Sequence, residues 1–263
     1  MTVVRSRDNA RVKAWVRLAA DPRARRKEGL ALIEGPHLLD AYLQRGGAPA
    51  SLIVSEPGVG REEIRLLIER SGLAPTVLSA ELFAKVSTTE TPAGIAAEIP
   101  IPADAVDVAS SDGCVFLEGI QDAGNVGTLL RSAAAFGVQD VVYGPGCADP
   151  WSPKALRAGM GGHFFLRIAA SRDLVADIGR FGRESVCTAA HDGKALATLD
   201  LTGRIAWIFG SEGAGVSAAV SAAASIVATI PTPGGAESLN VAASAAICFY
   251  EQGRQLSRRG AGS

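Results

Sequence analysis

The chain has few of the residues that most often carry enzyme chemistry unaided. Its three histidines, His37, His163 and His191, are scattered through 263 residues. None sits at a spacing that builds a metal site or a Ser–His–Asp array, so hydrolase and metalloenzyme readings have little support. The four cysteines, Cys114, Cys147, Cys187 and Cys248, are far apart, with no Cys-x-x-Cys and no Cys/His cluster. Cys114, Cys187 and Cys248 lie in apolar runs, which reads as buried thiols in a reducing cytoplasm. No run of 18 apolar residues occurs, and the N-terminus carries charges but no apolar leader segment. A cytoplasmic protein with no membrane span and no metal is expected.

Aromatics are scarce at 5%, so small-residue packing by Ala and Gly is expected instead. With 48% hydrophobic and 20% charged residues the chain has material for a substantial core, and its length suits about two domains. A net charge of −1 leaves no dominant sign, but the distribution is uneven. Residues 1–35 hold nine Lys/Arg against four acids, and the tail after Glu251 adds Arg254, Arg258 and Arg259 with no acid. Basic ends on a neutral chain fit a polyanion partner, and fit equally a solvated charged helix face.

Along the chain, residues 10–20 have helical spacing with Val12, Trp15, Val16 and Ala19 on one face, and Arg23 to Lys27 form a basic knot. Strands are expected at Gly29–Glu34, Ser51–Val54, Thr76–Leu78 and Gly94–Ile99, with helices from His37 to Gln44, from Glu62 to Arg70 and over Leu82-Phe83. These make a small α/β domain over 1–100, and the Pro-rich polar stretch 101–112 reads as a linker. From residue 113 to 263, strand and helix alternate. Strands are expected near 114–119, 139–143, 164–168, 185–190, 205–209 and 226–230, the pattern of a mostly parallel sheet.

Three strand–Gly loop–helix junctions stand out in this second half. In the first, Asn125 lies at a helix mouth, and Arg131 follows Gly127 by four residues, so its side chain leans back toward the loop. An Arg among Ala and Leu needs an anionic partner, either a ligand or a structural salt bridge. In the second, three glycines surround Glu212, which could hold a ligand, orient Arg131 or face solvent. In the third, Pro231, Pro233, Gly234 and Gly235 precede Ser238 and Asn240, placed where a helix begins and unpaired N–H groups need oxygen partners. The glycine spacings fit neither the dinucleotide fingerprint nor the P-loop. Another stretch, Ser152 to His163, carries Lys154 and Arg157 on a short helix, either as a cationic rim for phosphates or as ordinary helix C-terminal charges.

In their order, Asp122-Ala-Gly-Asn-Val-Gly-Thr-Leu-Leu-Arg131, Phe209-Gly-Ser-Glu-Gly-Ala-Gly215 and Ile230-Pro-Thr-Pro-Gly-Gly-Ala-Glu-Ser-Leu-Asn-Val241 resemble the three motifs of the SpoU/TrmH family of RNA ribose 2′-O-methyltransferases, part of the SPOUT superfamily. The likeness spans about 112 to 252. Ala123 stands where the family often has Pro, at a cost in loop rigidity. Residues 1–100 resemble the family's N-terminal substrate-binding domain more loosely, mainly through Arg25–Pro36.

The resemblance implies a deep trefoil knot, S-adenosylmethionine as cofactor and a homodimer whose partner chain completes the site. It implies cofactor contacts at Gly210, Ile230 and Leu239, helped by Gly213 and Thr232, and a catalytic set of Asn125, Arg131, Glu212, Ser238 and Asn240. Arg131 is expected to stabilise a developing alkoxide, since guanidinium stays protonated and is a poor base. RNA is the expected partner, with rRNA favoured over tRNA, held by Arg5, Arg7, Arg11, Lys13, Arg25, Arg26 and Lys27. The alternative is a catalytically silent RNA-binding protein of the same fold.

Overall fold

Short apolar runs punctuated by Gly, Pro and capping Asp or Ser set the alternation of strand and helix. The computed structural model describes residues 2–103, 106–234 and 237–260. Gly235 and Ala236 of the third motif therefore lie outside the described residues. By internal contacts the chain forms two units, Met1–Ala103 with Asp149–Phe164, and Asp104–Ala148 with Phe165–Ser263.

The first unit is built on strands β1 (Val3–Val4), β2 (Leu30–Glu34), β3 (Ser51–Ser55), β4 (Thr76–Leu78) and β5 (Ile95–Pro100), in the order β1-β4-β3-β5-β2. β5 is antiparallel to both of its neighbours, and the other pairings are parallel. Helix α1 (Ala10–Ala20) is capped by the Asn9 side chain and turns Val12, Trp15 and Leu18 inward. Val12 and Trp15 join Leu32, Ile53 and Phe83 in one apolar cluster. The basic knot is itself a helix, α2 (Pro22–Glu28), because Asp21 caps it, Pro22 opens it and Gly29 ends it at φ +64°. Helices α3 (Pro36–Gln44), α4 (Glu62–Ser71) and α5 (Ala80–Val86) complete the N-terminal part.

The second unit holds a seven-stranded, wholly parallel sheet. Its strands are β6 (Cys114–Leu117), β7 (Asp140–Tyr143), β8 (Arg167–Ala170), β9 (Glu184–Thr188), β10 (Lys194–Ala195), β11 (Ile205–Phe209) and β12 (Ile226–Thr229), in the order β10-β12-β9-β11-β6-β7-β8. Helices α6 (Ala123–Ala135), α8 (Leu174–Phe181), α9 (Ala218–Ala223) and α10 (Val241–Gly260) connect or follow them. An α/β fold with a parallel sheet is thus present. The first two motif loops leave β6 and β11, which pair directly through Leu117 and Phe209. The third leaves β12. All three loops therefore start at the carboxyl ends of parallel strands, where open α/β sheets bind ligands.

Helix α7 (Pro153–Gly159) belongs by its contacts to the first unit. The segment is anchored there by a buried ion pair, with Arg25 Nε donating to Asp149 Oδ2 at 2.6 Å. The same guanidinium donates to the carbonyls of Leu18 at 2.5 Å and Ala19 at 3.2 Å. Arg157 donates to the Thr88 hydroxyl, which gives that basic residue a structural partner.

Candidate active site

The first motif loop becomes helix α6 at Asp122, whose side chain accepts the Asn125 N–H at 2.9 Å. That cap fixes the backbone of Asn125 and aims its amide across the loops. Asn125 Nδ2 donates to Glu212 Oε1 at 2.8 Å, and Asn125 Oδ1 accepts from Asn240 Nδ2 at 2.9 Å. Asn240 Oδ1 in turn accepts the N–H groups of Ala242 at 2.9 Å and Ala243 at 3.3 Å, which caps α10. One residue from each motif thus enters a single hydrogen-bonded chain.

The polarity of this chain is dictated from both ends. An ionised carboxylate can only accept and backbone N–H can only donate, so each amide has one orientation that satisfies its neighbours. Burial alone would push the Glu212 carboxyl up. The Asn125 side chain and the N–H groups of Glu212, Gln121 and Asp122 outweigh it, holding the carboxyl below its ordinary range. Glu212 is therefore a stable anion and a weak base.

The second motif folds into a closed loop in which Ser211 N donates to Gly215 O at 3.0 Å and Gly215 N donates to Ser211 O at 2.9 Å. Gly215 sits at φ +68°. Gly210 has no room for a side chain, because a Cβ there would lie 2.1 Å from the carbonyl carbon of Gly215. At Gly213, by contrast, a Cβ would meet no atom within 4 Å.

This loop walls a cavity of about 150 Å³ that also takes in the third motif. Gly210, Gly213, Ile230, Thr232 and Leu239 all line it, together with Glu212 and Ser238. Sequence reasoning did not single out Thr188, Ala189, Ala190, Glu237 and Ser244, which line the same cavity. Thr188 ends β9, with Ala189 and Ala190 directly after it, and the preference of ligands for carboxyl ends of parallel strands was the signal that could have found them.

The structure joins Asn125, Glu212 and Asn240 by hydrogen bonds and places Glu212 and Ser238 on one cavity wall. Arg131 is on the exposed side of α6 and, among the described residues, makes no ion pair. A salt bridge among the described residues therefore does not account for it.

The basic set divides. Arg7, Arg11, Lys13, Arg26 and Lys27 are exposed. Arg5 pairs with Glu56 and Lys13 with Asp8, each at 2.8 Å, and Arg11 lies over the Trp15 ring at 5.1 Å. Arg25 departs from the expectation. At 3% exposure, with its donors turned to Asp149 and two carbonyls, it is a packing residue of the first unit and is not presented to a partner.

Comparison with known proteins adds to this geometry. Residues 113–250 match the model of the SpoU rRNA Methylase family, and residues 9–97 match that of the MRM3-like substrate binding domain. The chain is 34% identical to the 23S rRNA (guanosine(2553)-2′-O)-methyltransferase RlmP of Bacillus subtilis (strain 168), over 95% of this chain and 98% of that protein. A solved RNA 2′-O ribose methyltransferase superposes with a TM-score of 0.80 at 30% identity, over 97% of this chain and 99% of the other. The SpoU methyltransferase AviRb from Streptomyces viridochromogenes, solved with the cofactor AdoMet, gives 0.82 at 26% identity, over 95% and 100%.

Proposed function

The chain belongs to the SpoU rRNA methylase family, and we infer from this that it is an S-adenosylmethionine-dependent RNA ribose 2′-O-methyltransferase acting on structured RNA, with ribosomal RNA favoured over tRNA. The observation that carries the reading is the chain Glu212–Asn125–Asn240, which ties all three motif loops together beside one cavity.

The cavity residues suit the cofactor. Glycines and other small residues expose backbone N–H and C=O groups to a purine and ribose, and the lining carboxylates suit a positively charged molecule. Gly210, Gly213, Ile230, Thr232 and Leu239 would hold it. S-adenosylmethionine supplies an electrophilic methyl group on a sulfonium. Arg131 stabilises negative charge on the ribose oxygen and grips the neighbouring phosphate, a role for a fixed cation and not for a base. Glu212 is held ionised and orients Asn125. Ser238 and Asn240 direct the ribose from the third loop.

The same reading includes a trefoil knot formed by the motif loops and a homodimer that completes the site. Exposed Phe136 after α6 and exposed Ile247 and Tyr250 on α10, the helix packed on α6, support a partner chain over the α6–α10 surface. Residues 1–100 serve as the RNA-recognition domain, 101–112 as the linker and 113–263 as the transferase domain, within which Asp149–Phe164 makes its contacts with the first unit. The match at 9–97 and the exposed cations of α1 and α2 support the first of these roles. Four free cysteines support a reducing, cytoplasmic setting.

The test is transfer of labelled methyl to total RNA from a strain lacking the gene, followed by mapping of 2′-O-methyl positions. A single new rRNA position, absent with Arg131→Ala, is expected. No incorporation into any RNA while the cofactor still binds would overturn the catalytic reading in favour of a silent RNA binder.

A further inference from the structure

Two carboxylates line the cavity, and they differ in what already answers their charge. Glu212 accepts the Asn125 amide and several backbone N–H groups, so its charge is stabilised by neutral donors within the protein. Glu237 lines the same cavity, is exposed, and makes no hydrogen bond or ion pair among the described residues. Among the described residues, no Lys, Arg or His contributes to the lining. The remaining wall is backbone, small side chains, hydroxyls and the aliphatic side chains of Ile230, Leu239 and Val241. A recess of this kind has a negative field and one carboxylate with no partner among the described residues, which favours a cationic ligand.

The cofactor offers two cations, a sulfonium and an ammonium. Methyl transfer discharges only the first: the methyl–sulfur bond breaks, its electron pair stays on sulfur, and a neutral thioether remains while the ammonium persists. A carboxylate beside the sulfonium would therefore favour the methyl donor over the spent product and help the two exchange. One beside the ammonium would hold both equally.

We propose that Glu237 is the protein's counter-charge to a cation of the bound cofactor, a positioning residue that answers the positive charge left unmatched by Glu212. The proposal rests on the reading of this cavity as the S-adenosylmethionine site. Its place in the third motif loop, three residues before Asn240, would bring that charge close to the groups that orient the ribose.

The experiment is titration calorimetry on the full chain with S-adenosylmethionine and with S-adenosylhomocysteine, comparing wild type with Glu237→Gln at low and high salt. Glu184→Gln, at the opposite end of β9 from Thr188, controls for the loss of one negative charge anywhere on the protein. Glu237→Gln is expected to weaken S-adenosylmethionine binding about fivefold, the upper range for a partly solvated ion pair, with a smaller effect at high salt. A loss confined to S-adenosylmethionine assigns the sulfonium, and an equal loss for both ligands assigns the ammonium. Wild-type affinities in Glu237→Gln, or the same loss in Glu184→Gln, would overturn the proposal. If wild type binds neither ligand, the cofactor reading fails first, and that result is distinct from a variant that binds like wild type.

Discussion

Asn240 reaches Asn125 across 115 positions of sequence, with its Nδ2 2.9 Å from Asn125 Oδ1. That contact, continued to Glu212, makes three loops from three strand ends behave as one object. Its strength lies in a polarity that no member can reverse alone.

Asn125→Asp should therefore be worse than its size suggests. The substitution replaces the amide donor facing Glu212 by a second carboxylate and keeps only the acceptor facing Asn240. Like charges at hydrogen-bond distance and a lost donor are expected to lower kcat/KM by about 100-fold or more. Glu212→Gln can still accept from Asn125 and should be the milder change. Kinetics of the two variants side by side check the order, and a Glu212→Gln worse than Asn125→Asp would contradict the role of a fixed polarity.

Gly210→Ala and Gly213→Ala should separate stability from binding. At Gly210 the new methyl meets backbone at 2.1 Å, so the loop must move. Cofactor affinity should fall by roughly tenfold or more and Tm by several degrees. At Gly213 the methyl meets no protein atom within 4 Å, so Tm should hold while affinity drops if the methyl enters the cavity. Differential scanning calorimetry with cofactor titration reads both quantities.

Much of this was legible in the chain. Runs such as Ile205–Phe209 and the glycines after them give strand, loop and helix from local chemistry, and the three loops carry their polar residues at recognisable places. Strand β1 was missed because two residues have no periodicity, and it exists only through pairing with Val77 and Leu78. Helix α2 had its signals in Asp21, Pro22 and Gly29, but its run of charge hid them. Arg25 was misread because sequence gives a residue's charge and not its burial, and its partner Asp149 is 124 residues away.

Arg25 and its neighbours should accordingly part company under mutation. Arg25→Ala leaves Asp149, 13% exposed, without its cation, and is expected to cost about 3 to 5 kcal/mol of stability in the first unit. Arg26→Ala and Lys27→Ala sit on the exposed side of α2 and should leave the urea midpoint almost unchanged. If these two hold RNA phosphates, each should lower the slope of log affinity against log salt by about 1. Urea unfolding and filter binding at several salt concentrations distinguish the two classes.

His163 should make the first unit acid-sensitive over a defined window. Its side chain is fully buried, with Nε2 donating to the Pro150 carbonyl at 2.8 Å and Nδ1 without a partner among the described groups. Trp151 packs beside it at 5.6 Å between ring centroids. Burial pulls its pKa from 6.5 down to about 4, against smaller opposing effects from the Pro150 carbonyl and Asp149. Protonating Nδ1 would create a buried N–H with no acceptor, so the folded chain resists the proton that the unfolded chain takes up. Because the folded pKa is the lower one, the contribution is intact above pH 6.5 and is lost as pH falls toward about 4, amounting to roughly 3 kcal/mol once both states are protonated. His163→Phe cannot titrate and should lack this component, at the cost at neutral pH of the lost Pro150 bond. Urea midpoints of wild type and variant at pH 7.5, 5.5 and 4 give the difference directly, with the carboxylates common to both cancelling. Parallel pH profiles would mean that His163 is already protonated, or reached by water, in the folded state.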